Sequence, residues 1–503
     1  METELKLAVP PGHGERLLQH PAFRAALAAP CEERHEVTTY FDTPDSALAR
    51  AGFSLRVRRD GERRVQTVKS DAAADGLALR RGEWEWPVEG DEPDLDPLAR
   101  TPLDGEVLGR VEGRLGPVLV TDIRRTVCTL RLGDGTAAEA VLDEGGIAAG
   151  DARQPVSELE LELKAGASGP LYRLALDLHA AAPLTILAES KAERGRRLRT
   201  GEAPVVHKAT DPDLPRGASV AQAFRRVVGG CLGQFVANRA AALAGDPDGV
   251  HQMRVAMRRL RSALALFDGH LKRRAKGRHD DELRRLGRVL GAARDWDVFC
   301  LETLPAVARA IPAEDWGDLR EAAQAERRSA HERLRDELAG PAQTVLALAL
   351  AAEAEEAVGA SPLLRTLARR PVAEQAPDML DRLAHKVTKR GEDLAHRSEG
   401  ELHALRKALK RLRYGVDFLG GLYGRKRVKA YVHHCKELQE SLGAMNDAAV
   451  AEGLARELGE ADPARLSASA EALARWSRES RGAAIGHIAA GWDEFKRASP
   501  FWR

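Results

Sequence analysis

Residues 158–164 read Glu-Leu-Glu-Leu-Glu-Leu-Lys. Strand side chains switch faces at every step, so Glu158, Glu160, Glu162 and Lys164 share one face and Leu159, Leu161 and Leu163 the other. The chain opens with a shorter version, in which Glu2, Glu4 and Lys6 alternate with Thr3, Leu5 and Leu7. Over 53–59, Phe53, Leu55 and Val57 alternate with Ser54, Arg56 and Arg58. Asp60-Gly61 then marks a hairpin turn, and 65–69 returns with Thr67 and Lys69 on one face. Residues 83–86 alternate again. Strands are also predicted at 36–40, before a turn at 41–44, and at 122–132 and 137–143, joined by Asp134-Gly135. Helices are expected at 21–29 and 171–181, loop over 87–102, and a last short element at 190–194.

Short strands joined by turns predict a sheet that curls or closes. An ordinary solvated strand face accounts for any one of these patterns. The set as a whole segregates charge: acidic on some strands (Glu2/Glu4, Glu83/Glu85, Glu158/Glu160/Glu162), basic on others (Arg56/Arg58, Lys69, Arg125, Lys191, Arg194). A closed barrel would bring these faces together in a polar lumen. Carboxylates there could hold a divalent cation, and Arg and Lys a polyanion. The competing expectation is a surface lattice of salt bridges.

Residues 195–218 lose periodicity and gather Gly, Pro and Asp, the composition of a linker. Beyond them Ala, Leu, Arg and Glu recur at helical spacing, which predicts an all-helical half. That half contains a duplication. His251-Gln-Met-Arg254-Val-Ala-Met-Arg258-Arg259-Leu-Arg261 returns as His403-Ala-Leu-Arg406-Lys407-Ala-Leu-Lys410-Arg411-Leu-Arg413, offset by 152 residues. The same offset carries Leu290-Gly291 and Asp295 onto Leu442-Gly443 and Asp447. On a helical wheel His251, Arg254, Arg258 and Arg261 occupy an arc of about 80°, opposite Met253, Met257 and Leu260. His403, Arg406, Lys410 and Arg413 repeat the arrangement. Such a stripe repels itself by roughly 1 kcal/mol per exposed pair a turn apart unless an anion compensates. Two stripes predict a cationic groove for a linear polyanion. No aromatic residues interleave with them, apart from Tyr414, so nucleic acid is not expected.

At 503 residues, 44% hydrophobic and 30% charged, the chain is read as multidomain and globular, and its net charge of +1 conceals the segregation above. No apolar run approaches a membrane span, and the acidic start does not read as a signal peptide. Five scattered cysteines without a C-x-x-C pair predict a reducing, cytoplasmic setting and no disulfide framework. His433, His434 and Cys435 point in different directions on a helix and are not expected to form a metal site together.

Taken in order, Glu2-x-Glu4-x-Lys6, Arg56-x-Arg58, Thr67-x-Lys69, Arg81-Gly-Glu83, Arg125, Glu139, Asp143, Glu158-x-Glu160-x-Glu162 and Ser190-Lys191-x-x-Arg194 resemble the CYTH family of triphosphate tunnel metalloenzymes. His251 and His403 with their basic companions resemble the CHAD family of conserved-histidine helical domains, associated with inorganic polyphosphate. The resemblance implies an α+β multidomain chain: an antiparallel eight-stranded β-tunnel over 1–203, a linker over 204–217, and an all-α domain of two homologous bundles over 218–500, with repeats beginning near 218 and 375. It implies Mg²⁺ or Mn²⁺ on Glu2, Glu4, Glu158, Glu160 and Glu162, foremost Glu158 and Glu160. Triphosphate would lie on Lys6, Arg56, Arg58, Lys69, Arg125, Lys191 and Arg194. Glu4, Glu160 and Lys69 are then the expected catalytic residues, with Glu139 and Asp143 as structural partners of the cations. Inorganic triphosphate is the expected substrate, with thiamine triphosphate or ATP as alternatives. A further alternative is an inactive tunnel serving polyphosphate binding, with location at cytoplasmic polyphosphate granules.

Overall fold

The computed structural model describes residues 2–70, 73–268, 279–356 and 362–503, with side chains for all of these but Glu2 and residues 73–75, 79–81, 362–364 and 395. The chain forms two compact units. One comprises Met1–His207, Leu232–Ala244 and Gly340–Glu356, and the other Lys208–Cys231, Gly245–Ala339 and Ala357–Arg503. The first unit thus takes two segments from the helical half of the sequence.

Among the described residues eleven strands build the first unit: β1 (Glu2–Ala8), β2 (Glu32–Asp42), β3 (Phe53–Asp60), β4 (Arg63–Ser70), β5 (Ala73–Asp75), β6 (Ala78–Arg81), β7 (Glu83–Pro87), β8 (Gly116–Arg131), β9 (Ala137–Ala149), β10 (Ala152–Ala165) and β11 (Thr185–Ile186). All the pairings are antiparallel, in the order β5-β6-β1-β10-β9-β8-β2-β3-β4-β7, with β11 beside β1. The two ends of that order meet through the chain itself. β6 pairs with β1 and β7 with β4, and only Gly82 separates them. Counting β6 and β7 as one bent strand, the ring has eight members, as the tunnel resemblance implied. A side chain at Gly82 would strike the Trp84 indole at 2.4 Å.

Several elements outrun the alternation that announced them. Strand β2 begins at Glu32 and β8 at Gly116, while β9 and β10 turn directly into one another at Gly150–Asp151 as a long hairpin. The helix expected over 21–29 stops at Ala26, and the segment expected to be linker from 195 is helical through Thr200. Residues 201–215 carry neither helix nor strand. Strands β8 and β9 approach so closely at Gly145 that any side chain there would meet the Asp122 carbonyl oxygen at 2.0 Å.

The outer face of the strands is apolar and covered. Leu5, Leu7, Leu159 and Leu161 are at most 1% exposed. Phe41, Leu55, Val57 and Val68 form a cluster there with Leu98 and Val111, whereas Leu119, Ile123, Ile147 and Val156 share the inward parity of Arg125, Asp143 and Glu158 and pack with Tyr40, Ala192 and Leu198. Both strand faces are therefore withdrawn from solvent, and the charged positions are turned inward.

One expectation is overturned. Cys31 and Cys128 form a disulfide across 97 residues of sequence. They continue the β2–β8 ladder in which Glu32 faces Val127. Their distance in sequence hid a register that makes them direct neighbours. Cys231, Cys300 and Cys435 are free and buried.

The second unit is helical. Its repeats correspond to the helices Pro247–Leu266 and Asp280–Val298 in the first copy and Glu399–Leu419 and Arg425–Ala461 in the second, with Pro463–Arg497 packed along the last of these. Among the described residues no helix is long and apolar enough to cross a membrane.

A charged tunnel and a cationic cavity

Register decides which charges meet in the barrel. Glu4 lies opposite Glu162, and Lys6 opposite Glu160, across β1 and β10. Glu158 faces Asp143 and Glu162 faces Glu139 across β10 and β9, while Asp143 also faces Arg125 on β8. The inward side chains form a continuous lattice around the wall. Arg58 reaches Glu36 at 3.8 Å and Glu85 at 3.6 Å, Glu36 reaches Arg125 at 3.3 Å, and Arg125 grips Asp143 with two hydrogen bonds of 2.8 and 2.7 Å. On the neighbouring strands Lys69 pairs with Glu83 at 2.8 Å and Arg56 approaches the same carboxylate at 3.7 Å.

The helix Lys191–Thr200 completes the lattice. Ser190 caps it with a reciprocal bond to Glu193, which fixes the first turn. That turn delivers Lys191 among three carboxylates: Asp143 at 2.7 Å, Glu160 at 3.1 Å, and Glu158 in close contact. Arg194 closes on the other oxygen of Glu158, and Lys6 on Glu160. Glu158 and Asp143 are wholly buried. Burial works against the Lys191 ammonium, but Asp143, Glu158 and Glu160 outweigh it and raise its pKa above the ordinary lysine value. Burial likewise opposes charge on Glu160, yet Lys191, Lys6 and Arg125 hold that carboxyl well below its usual range.

The carboxylates are not equivalent. Glu158 is spent on Lys191 and Arg194, which makes it an internal counter-ion in this structure rather than an open ligand. Glu162 has the opposite character. Its carboxyl is pushed up by burial and by the neighbouring Glu139 and Glu4, against the pull of Lys164 at 2.7 Å. Oxygens of Asp143, Glu158 and Glu160 lie within 4.8 Å of one another, but the Lys191 ammonium contacts all three carboxylates. Glu4 and Glu162, opposite each other across β1 and β10, and Glu160 beside them offer the oxygen donors that suit a hard divalent cation. Glu2 stands at the head of β1, with its side chain outside the described residues. The cations are also crowded. Burial and the neighbouring Arg56 and Arg125 depress the pKa of Arg58, and Arg56 Nε and Arg194 Nε are buried without a hydrogen-bond partner. Sequence reasoning missed Glu36 and Tyr40. Both stand on the inward parity of β2, at 5% and 6% exposure, and the 36–40 alternation was their available signal.

In the helical unit the two basic stripes face a common cavity of about 410 Å³. Arg254 and Arg258 line it from the first copy and Arg406, Lys410 and Arg413 from the second. Arg254 is held by Asp295 at 2.7 Å, and Arg406 stands 3.7 Å from Asp447, so the repeat preserves the pairing as well as the residues. His251 lines the cavity. His403 instead bonds Asn446 at 2.8 Å, and Arg261 is exposed outside the lining. Arg294 and Tyr414 join the lining without having been expected there. Three guanidinium Nε atoms, of Arg258, Arg406 and Arg413, are buried without a hydrogen-bond partner. Burial and the surrounding arginines Arg258, Arg406 and Arg254 push the Lys410 pKa down to about 6. Burial and Arg294 push His251 to about 4. Crowding of like charges raises the cost of each of these cations, a cost that an anion among them would offset.

Comparison with known proteins agrees with both halves. The profile of the CYTH domain matches residues 1–195 and that of the CHAD domain residues 226–456. An inorganic triphosphatase of Haemophilus influenzae is 30% identical over 194 residues, which cover 39% of this chain and 54% of that protein. The chain thus spans about half the length of that curated relative. An uncharacterized protein of Mycobacterium tuberculosis is 29% identical over 425 residues, 76% of this chain and 75% of that one. The crystal structure of the CHAD domain from the plant Ricinus communis superposes with a TM-score of 0.53 at 30% identity, covering 59% of this chain and 98% of that one. The chain therefore joins an N-terminal CYTH domain to a C-terminal CHAD domain.

Proposed function

We propose that the barrel is a metal-dependent triphosphatase releasing phosphate from inorganic triphosphate, and that the helical cavity binds polyphosphate. The observation that carries the first reading is the division of labour around the wall. Arg56, Arg58, Lys69 and Arg125 supply cationic donors from β3, β4 and β8, and Glu4, Glu160 and Glu162 supply carboxylates from β1 and β10. Phosphoryl transfer depends chiefly on positioning and charge neutralisation. Here Lys6, Arg56, Arg58, Lys69 and Arg125 bind and align the phosphates. Lys191 and Arg194, locked to Glu158, hold the β10 carboxylates in place. Mg²⁺ or Mn²⁺ on Glu4, Glu160 and Glu162 would neutralise phosphate charge and orient water. The 30% identity to an inorganic triphosphatase supports the substrate class.

Phosphate release from tripolyphosphate, ATP and thiamine triphosphate, measured with Mg²⁺ or Mn²⁺ and after chelation, tests the reading. Metal-dependent release with a preference for tripolyphosphate is expected. Release from an organic triphosphate alone would move the substrate. No release from any of the three would leave a binding module. The polyphosphate reading implies a cytoplasmic protein at polyphosphate granules, where Cys31 and Cys128 would be a dithiol.

A further inference from the structure

The helix Arg425–Ala461 carries His434 and Glu437 three residues apart, so both project from one side. Glu494 reaches them from the helix Pro463–Arg497. The two helices approach closely at Gly491, where a side chain would sit 3.4 Å from the Leu438 backbone. Glu494 lies one turn beyond that glycine, and the close approach brings its carboxylate to the neighbouring helix. One ligand-type atom from each of His434, Glu437 and Glu494 falls within 4.8 Å of the other two.

A second observation points to a ligand. His434 Nδ1 and Glu437 Oε2 are both buried without a hydrogen-bond partner. A cation between His434 Nδ1 and Glu437 Oε2 would satisfy both atoms at once. The adjacent His433 is exposed and contacts the other Glu437 oxygen at 3.3 Å, so that carboxylate is held in place from outside the cluster.

We propose that His434, Glu437 and Glu494 form a transition-metal site in the helical unit, separate from the tunnel and from the cationic cavity. One imidazole nitrogen and two carboxylates match Zn²⁺ with a fourth position left to water, and they discriminate against Mg²⁺, which avoids nitrogen. Bound there, the metal clamps the last two long helices together.

The test uses the full chain, stripped with chelator and titrated with Zn²⁺ against a chromophoric competitor. X-ray absorption at the zinc edge then reports imidazole scattering, which the tunnel carboxylates cannot supply. Wild type is expected to take up zinc with a histidine signature and to gain thermal stability. His434→Ala should lose the signature and the thermal shift while keeping the circular dichroism of the wild type. Glu437→Gln and Glu494→Gln should each weaken uptake at least about tenfold. His433→Ala separates the two histidines and should retain the signature. Zinc uptake unchanged in His434→Ala, uptake without imidazole scattering, or loss of the signature in His433→Ala instead would overturn the proposal.

Discussion

Replacing Glu160 by Gln separates catalysis from architecture in the tunnel. The change keeps the shape and one oxygen acceptor and removes one negative charge. Two ammonium groups lose by it. Lys191 keeps Asp143 at 2.7 Å and its contact with Glu158, and Lys6 keeps Glu4 at 3.6 Å. Breaking an isolated buried ion pair costs about 3–5 kcal/mol. With those partners retained, the loss should be about 1–3 kcal/mol, within the reach of a folded protein. Glu160's carboxyl is held below its usual range, so its contribution to stability is present above the unfolded-state value of about 4.3 and is lost as pH falls through the lower folded value. Denaturant melts should therefore show a wild-type advantage at neutral pH that narrows below about pH 4. Turnover should behave differently. As a metal-holding carboxylate, Glu160 should cost about 100-fold or more in kcat when neutralised, with a higher Mg²⁺ requirement. Phosphate release from tripolyphosphate across a Mg²⁺ titration reads both. Were Glu160 only a member of the ion-pair lattice, its removal would free Lys6 and Lys191 for substrate, and turnover would hold or rise. Wild-type kcat at saturating Mg²⁺ in Glu160→Gln would refute the assignment.

Other consequences are open to direct measurement. Glu158→Gln, at a wholly buried position that serves Lys191 and Arg194 together, should destabilise by about 3–5 kcal/mol and lower the melting temperature far more than Glu160→Gln does. Alanine at Arg258 or Arg406 should weaken polyphosphate binding at least tenfold, and added salt should weaken wild-type binding further; salt-independent affinity would count against the cavity. Lys410 has a lowered folded-state pKa, so its protonation costs stability at every pH below the unfolded value, most fully below about pH 6. Lys410→Gln should accordingly raise the melting temperature at neutral pH while reducing polyphosphate affinity, and wild-type affinity should rise as pH falls toward 6. Reducing Cys31–Cys128 opens a loop of 97 residues, for which chain entropy predicts a loss of about 4–5 kcal/mol, visible as a lower melting temperature in dithiothreitol and in Cys31→Ser.

The strand alternation was legible because a period of two is a local property. Glu158, Glu160 and Glu162 share a face whatever surrounds them, and the 152-residue offset identifies paired helices without any knowledge of their packing. Environment was not legible. An isolated Glu-Leu repeat reads most simply as a wet strand face, whereas Glu158 is wholly buried, because closure through Gly82 covers both sides of the wall. Pairing was not legible either. Arg261 fits the stripe of the first copy by angle but lies outside the cavity, and His403 turns to Asn446 rather than joining His251 in the lining.

Composition and periodicity determined by themselves that this chain would hold a strand-built charged half and a duplicated basic helical half. Tertiary structure decided which charges are partners. Register placed Lys6 on Glu160 and Cys31 beside Cys128, the Ser190 cap aimed Lys191 at three carboxylates, and the approach at Gly491 brought Glu494 to His434. The physical reason is range. Side-chain direction follows from a few neighbouring bonds, but desolvation and ion pairing depend on atoms that only the folded chain brings within a few ångströms.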